Sequence, residues 1–502
     1  MEIFSNLGLG FSISLSLNNL WYCFIGCMIG TFIGVLPGLG VTVTIALLMP
    51  LTFKLDPTTA IIMLAGIYYG AQYGGSTTSI LVNIPGEASS VVTCLDGYQM
   101  ARQGRAGPAL GISAFGSFIA GTIATFGLAF LAPPLAQFAL KFGPAEYFGM
   151  MCLGLIAAAF LGQGSMLKSI MMVFFGLILG TIGRDLVTSF PRFTFEISEL
   201  EDGLGLVPVL IGLFGVGEIL NNLEAPQKGR EIYHEPIRGL LPSWREWKAS
   251  IGPILRGSVM GFFLGIIPGG GAGISSYASY AVEKKLSKTP DQFGKGAIQG
   301  VAGPESANNA GSQGAFVPLL TLGIPANSVM ALFVGALMIH GIQPGPLIMT
   351  KAPQMFWGVI TSMYVGNVML LLLNLPLIGM WVQLLRVPYR IMFPSILLIC
   401  LIGTYSMNNS LFELFLMGIF GVVGYLFKRL DLEMAPMILA FVLGPFMEDS
   451  LKQALITSHG SLGIFIRRPI SATFIGIICF FILLQTIPRV RRYKAAVPKE
   501  EL

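Results

Sequence analysis

Charge is scarce in this 502-residue chain: Asp, Glu, Lys and Arg together make up 11% of it, against 54% hydrophobic residues. A soluble domain carries about 25% charged residues, so a water-facing globular surface is excluded. The mean hydropathy of +0.75 points to lipid as the solvent. Histidine is rarer still, with only His234, His340 and His459. The six cysteines (Cys23, Cys27, Cys94, Cys152, Cys400 and Cys479) lie mostly in apolar sequence without histidine neighbours. That pattern predicts packing residues, with neither disulfides nor a metal site. No glycine-rich phosphate loop of the Walker type is present, which excludes ATP hydrolysis by that route. The first residues, MEIFSNLGLGFSISLSLNNL, contain no Lys or Arg and no small-residue cleavage site, so no cleaved signal peptide is expected.

What is present in quantity is long apolar sequence. Ala109–Leu131, Met166–Gly183, Leu204–Leu220, Phe356–Leu375, Leu411–Phe427 and Ile470–Ile487 each approach the length that crosses a hydrocarbon core. The expected fold class is therefore an all-α polytopic membrane protein embedded in a lipid bilayer. The net charge of +5 gathers in two places. One is the tail with Arg489, Arg491, Arg492, Lys494 and Lys499; the other is the polar stretch with Lys228, Arg230, Arg238, Arg245 and Lys248. Both read as cytoplasmic by the positive-inside rule, and in a chain this apolar they do not point to nucleic acid.

Two motifs occur twice. GTFIGVLPGLG (Gly30–Gly40) and GFFLGIIPGGG (Gly261–Gly271) share the pattern G-x-x-x-G-x-x-P-G-x-G. Further along each half comes a polar, glycine-containing segment ending in Ile-Pro: YYGAQYGGSTTSILVNIPGE (Tyr68–Glu87) and NNAGSQGAFVPLLTLGIPAN (Asn308–Asn327). Weaker echoes follow, with FGPAEYF against RVPYRIMF and LVPVLIGLFGVGE against MAPMILAFVLGPFME. The reading is a first transmembrane repeat at 1–225, a basic linker at 226–250, a second repeat at 251–460, and an extra C-terminal span with a basic tail at 461–502.

Loop charge indicates how the halves are related. Between its two motifs the first half has Lys54, whereas the second has Lys284, Lys285, Lys288 and Lys295. After the second motif the bias reverses, Arg102 and Arg105 standing against Lys351. Equivalent loops with opposite bias predict inverted-topology repeats with broken or re-entrant helices, about 11–12 spans in all. Arg467 and Arg468, at the outer end of the last span on this reading, run against it.

Pro37 and Pro268 have no N–H to donate and clash with the preceding turn. Each helix should stop there, the first restarting near Val41. The restart exposes backbone N–H groups that suit an anion, and the preceding end frees carbonyls that suit a cation. Irregular backbone at membrane depth is tolerated only inside protein or beside a water-filled cavity. Gly30, Gly34, Gly261 and Gly265 fit close helix packing instead. The candidate substrate- or ion-binding residues are Pro37, Gly38, Leu39, Gly40, Gly74, Gly75, Ser76, Thr77, Thr78, Ser79, Asn83, Pro85 and Gly86 in the first half. In the second half they are Pro268, Gly269, Gly270, Gly271, Glu305, Ser306, Asn308, Asn309 and Ser312, with Gln313 beside them. Dense hydroxyls and amides suit a carboxylate, a dehydrated sodium ion, or both. Glu87 and Glu305 are ionisable groups beside apolar sequence. A Ser76–His340 pair is the one arrangement that would suit an intramembrane hydrolase, but His340 has no counterpart in the other half, and no catalytic residue or enzyme activity is expected.

These stretches resemble a known family. GVLPGLG, GIYYGAQYGGSTTSILVNIPGE, LDGYQMARQGRAG, FLGIIPGGGAGISS, GVAGPESANNAGSQGAFVPLLTLGIP and MIHGIQPGP look like the large permease subunit of the tripartite tricarboxylate transporters, the TctA family. The likeness runs along nearly the whole chain, and its signature falls on Pro37–Gly40, Tyr73–Ser79, Asn83–Glu87, Asp96–Tyr98, Pro268–Gly271 and Pro304–Asn309. It implies a multi-pass secondary transporter of the bacterial inner membrane that carries a di- or tricarboxylate such as citrate. It also implies coupling to Na⁺ or H⁺, no cofactor, and two partners: a small four-span membrane subunit and a periplasmic solute-binding protein. A passive organic-anion channel or a non-transporting membrane scaffold is the alternative from the motifs alone.

Overall fold

A computed structural model describes residues 2–36, 40–161, 165–185, 188–224, 239–384 and 389–486. Pro37, Gly38 and Leu39, most of the basic linker and the basic tail lie outside that range. Among the described residues the chain is helical apart from one two-stranded β pair, Gly183–Arg184 with Pro191–Arg192. The longer helices are α1 (Glu2–Ser14), α2 (Leu17–Val35), α3 (Val41–Thr52), α4 (Pro57–Val82), α5 (Ala106–Ala139) and α6 (Pro144–Leu161). They continue with α7 (Met166–Gly180), α8 (Leu206–Glu224), α9 (Trp244–Ile266), α10 (Gly271–Leu286), α11 (Gln299–Gly314) and α12 (Phe316–Leu322). The last are α13 (Ser328–Ile339), α14 (Pro353–Asn374), α15 (Tyr389–Asn408), α16 (Leu411–Arg429), α17 (Met434–Thr457) and α18 (Pro469–Thr486).

Among the described residues seven helices, α2, α5, α8, α9, α14, α16 and α17, are long and apolar enough to cross a membrane. With this composition they establish a multi-pass membrane protein. On α16, Phe415, Ile419 and Val422 are exposed at helical spacing, the reverse of a soluble protein and what a lipid-facing surface requires. The helix α4 is missing from the seven because it is too polar, and α11 because it is both too polar and, at 16 residues, too short, yet they are the interior: Thr59–Val82 and Gly300–Gly314 are buried without interruption. Polar sequence at this depth survives because protein, not lipid, surrounds it.

Both helix breaks fall where proline puts them. The end of α2 is capped at Leu36 and α3 restarts on Gly40; α9 ends at Ile266 and α10 restarts at Gly271. Each interrupted helix packs on the polar helix that follows it, backbone against backbone. A Cβ on Gly26, Gly30 or Gly34 would strike the carbonyls of Met63, Ile67 or Ala71, and one on Gly257, Gly261 or Gly265 those of Gly303, Ala307 or Gly311. Two runs of small residues thus bring α2 onto α4 and α9 onto α11 in the same way. From the other side Gly66, Gly70 and Gly74 of α4 meet the backbone of α2, so Gly74 serves this contact.

The first polar segment is a single helix until Ile-Pro, and the second is helix with one turn at Ala315 between α11 and α12. Asn83 ends α4 with φ 57° and Gly323 ends α12 with φ 74°, both left-handed caps of the type that Asn and Gly adopt most readily. After each Ile-Pro the next turn is capped by a side chain at φ −153°, Glu87 in one case and Asn327 in the other. The helix α9 begins at Trp244 on a Ser243–Glu246 capping box, inside the stretch read from sequence as linker.

Two loops meet directly, and two others lie within electrostatic range of each other. Gln103 Nε2 donates to the Lys295 carbonyl at 2.8 Å, and Arg105 to that of Gly296 at 3.5 Å, so the turn after the first Ile-Pro rests on the loop between α10 and α11. Arg105 also pairs with Glu246 at the start of α9 at 2.9 Å. Asp56, in the loop before α4, lies within electrostatic range of His340. Burial holds the His340 imidazole below its ordinary pKa.

Candidate functional site

The centre of the molecule is one face of α11. Glu305, Asn308, Asn309, Ser312 and Gln313 recur at the spacing of a single helical stripe, and every one is buried. Glu305 accepts hydrogen bonds from Ser76 of α4 and from Thr93, in the helical turns after the first Ile-Pro. Asn308 Nδ2 donates to Glu87 at 3.5 Å, and Ser89 donates to the same Glu87 oxygen. Asn309 Nδ2 donates to Ser117 of α5 at 2.7 Å, and Gln313 accepts from Thr125 of α5 at 2.5 Å. The polar motifs of the two halves are therefore hydrogen-bonded to one another, with α5 closing the third side.

The breaks lie against these segments. Thr78 Oγ1 donates to the Val35 carbonyl at 2.9 Å, satisfying one acceptor that the end of α2 leaves free. Gly86 is wedged between the Gly34 carbonyl and Gly75. In the second half Gly269 N donates to the Ala326 carbonyl at 2.8 Å, and Gly269 takes φ 78°, open to glycine at no steric cost. Gly270 sits on the Leu264 carbonyl, and Gly271 starts α10 near the Asn327 amide. Ser79 bonds to Ser90 at 3.0 Å, and Ser306 to its own helix at Ala302. Asn83 is exposed and Pro85 half-buried at the rim, where they end α4 rather than join the buried cluster. Gly40 has open space around it.

Neither glutamate of this cluster, the buried Glu305 or the half-buried Glu87, faces a cation among the described residues. Among the described residues no Lys or Arg pairs with Glu87 or Glu305, while Glu283 pairs with Arg256 at 2.5 Å and Glu146 with Arg468 at 2.6 Å. Another buried carboxylate, Asp96, is fully satisfied without a cation. Its Oδ1 accepts from the backbone of Gly294, Gly296 and Ala297 at 2.8–2.9 Å, and its Oδ2 from Tyr280 at 2.9 Å. Asp96 thus fastens the first half to the loop before α11.

Ser117, Thr125 and Thr93 complete the cluster and went unread in the sequence, as did Asn367 and Asn374 of α14. The signal was present: Ser113, Ser117 and Thr125 lie on one face of an otherwise apolar helix, and the two asparagines are two helical turns apart. Asn367 is buried beside Gly121 and Gln313, with neither amide atom hydrogen-bonded. Ser76 is committed to Glu305 and the Gln72 carbonyl, which leaves it no place in a Ser–His pair. A wider cleft, of about 320 Å³, lies elsewhere, between the β pair and α17. Its Arg192 and Lys452 are paired with Asp185 and Glu448.

The sequence model of the tripartite tricarboxylate transporter TctA family matches residues 20–439. The chain is 50% identical over 501 residues, all of both sequences, to an Agrobacterium vitis protein described as an uncharacterized 52.8 kDa protein in the TAR-I ttuC′ 3′ region. It is also 50% identical over 241 residues to an Agrobacterium vitis protein described as an uncharacterized protein in the TAR-II ttuC′ 3′ region, covering 48% of this chain and all of that one. No solved structure matches.

Proposed function

The chain belongs to the tripartite tricarboxylate transporter TctA family, and from that premise we propose that it is the ion-coupled permease of a binding-protein-dependent uptake system. It sits in the bacterial inner membrane and carries a di- or tricarboxylate with Na⁺ or H⁺. A small four-span membrane subunit completes the translocation unit, and a periplasmic solute-binding protein delivers the substrate. The observation that carries this reading is the buried junction of the two polar motifs, where Glu305 is held by Ser76 and Thr93 and no cationic side chain among the described residues neutralises it. A carboxylate kept at that depth without a partner is costly unless an ion or a proton joins it in the working cycle. The substrate's own carboxylates need donors, and the restarted helix ends at Gly40 and Gly271 offer backbone N–H groups and positive dipole ends.

Inverted repeats belong to the same proposal. Inversion requires the loop between the motifs in one half to lie at the same membrane face as the loop after the second motif in the other. The Gln103–Lys295 contact and the closeness of Asp56 to His340 are of that kind. Alternating access then has four pivots: the breaks after Val35 and Ile266 and the Ile-Pro ends of α4 and α12.

The three components reconstituted in proteoliposomes test the function. Radiolabelled citrate should accumulate above equilibrium only while a Na⁺ or H⁺ gradient stands. Simple equilibration with or without a gradient would make the chain a passive channel and sink the coupled reading. Replacement of Asn309 by Ala should lower uptake about tenfold or more with normal membrane insertion, the effect of losing one buried hydrogen bond to a ligand or its positioning partner.

A further inference from the structure

A second small feature adjoins Glu305. Tyr73 and Thr77, one turn apart on α4, line a cavity together with Ser113 of α5 and Asn374, the last residue of α14. All four are at least nine-tenths buried. The Tyr73 hydroxyl and Asn374 Oδ1 have no hydrogen-bond partner, although the other Asn374 amide atom is engaged, Nδ2 donating to the Leu370 carbonyl at 2.9 Å. Buried polar atoms are paired as a rule, so two orphans on one cavity signal a ligand that supplies the missing bonds. The rest of the wall is apolar, from Leu110 and Ile378 among others.

Size and charge select the ligand. The cavity gives about 10 Å³ to the centre of a water-sized sphere, room for one such sphere and far too little for a polycarboxylate. Its polar lining is three hydroxyls and an amide oxygen, with no Lys or Arg among them. The C-terminal end of α14 falls at Asn374, which brings the negative end of a helix dipole to the cavity. Glu305 is next door: Ser76, between Tyr73 and Thr77 on α4, donates to it, and Ser113 stands within its hydrogen-bonding range. Neutral oxygens, a helix C-terminus and an uncompensated carboxylate all favour a cation and disfavour an anion.

We propose that this cavity binds one sodium-sized monovalent cation, coordinated by the oxygens of Tyr73, Thr77, Ser113 and Asn374, with Glu305 as its counter-charge. The proposal rests on the ion-coupled reading above and deepens it. It separates the cation from the carboxylate substrate and brings in α5 and α14, which neither repeated motif includes.

Thermal unfolding of the purified full-length chain in detergent, titrated with NaCl at ionic strength held constant by choline chloride, tests the site. The melting temperature should rise saturably with Na⁺. Thr77→Val and Asn374→Ala should each raise the half-saturating concentration at least tenfold, and Glu305→Gln should abolish the response. Thr77→Val is close to isosteric and keeps the test decisive if Asn374→Ala fails to fold. A flat wild-type titration, or variants that saturate where the wild type does, would overturn the proposal and leave the cavity to a water or Glu305 to a proton. The two readings fail separately. Sodium-dependent stabilisation with uptake indifferent to every gradient would keep the site and remove the coupling. Gradient-driven uptake with no sodium response would do the reverse.

Discussion

Asp96 shows what one side chain settles here. Three backbone N–H groups and a tyrosine hydroxyl converge on its carboxylate, and Gly294 and Gly296, at φ 82° and 101°, hold that loop in shape. Asp96→Ala leaves four donors without their acceptor and should cost about 2–4 kcal/mol, whereas Asp96→Asn keeps an acceptor at Oδ1 and should cost about half as much. Thermal unfolding in detergent separates the two, and an Asp96→Ala chain that melts like the wild type would show the loop held by other contacts. The sequence gives Asp96 only as part of an Asp96–Tyr98 signature. Its three N–H partners are backbone groups about two hundred residues away, and no local pattern announces those.

At the scale of elements, glycine divides into two populations that sequence alone cannot separate. Gly30 and Gly261 stand against the carbonyls of Ile67 and Ala307, so a methyl there must push two backbones apart. Gly418, on the exposed side of α16, has nothing within reach of a new Cβ. Alanine at Gly30 or Gly261 should destabilise by about 1–3 kcal/mol, and alanine at Gly418 should be neutral or stabilise by up to about 1 kcal/mol. Equal losses at all three would mean that α2 and α9 do not approach their partners this closely. The small-x-x-x-small spacing made these glycines readable as packing residues. That Gly66, Gly70 and Gly74 answer them from α4 was not readable, because those positions lie in a segment whose polarity drew attention to ligand binding. The polar helices illustrate the opposite limit. Hydropathy passes over α4 and α11 as spans, yet they are the most completely enclosed helices of the fold.

For the whole molecule the testable quantity is sidedness. Inversion requires Lys54 and Lys295 to face opposite sides of the membrane, while Gln103 and Lys295 share one. Single cysteines at these positions, probed with a membrane-impermeant thiol reagent in intact and opened cells against the native-cysteine background, should label accordingly. Lys54 and Lys295 labelling from the same side would end the inverted arrangement and leave the paired helix breaks as parallel copies. Composition determined the solvent of this protein, because so few charges cannot coat a water-facing surface of 502 residues. The prolines determined where α2 and α9 stop, because a missing N–H and a steric clash act within one helical turn. What only the tertiary structure decided is which polar groups share a site. Ser76, Thr93, Ser113 and Glu305 come from four separate parts of the chain, and their meeting depends on how closely two glycine-lined helix pairs let α4, α5 and α11 approach. Backbone strain is local and can be read along the chain; the pairing of buried charge is long-range and forms only once the helices have packed.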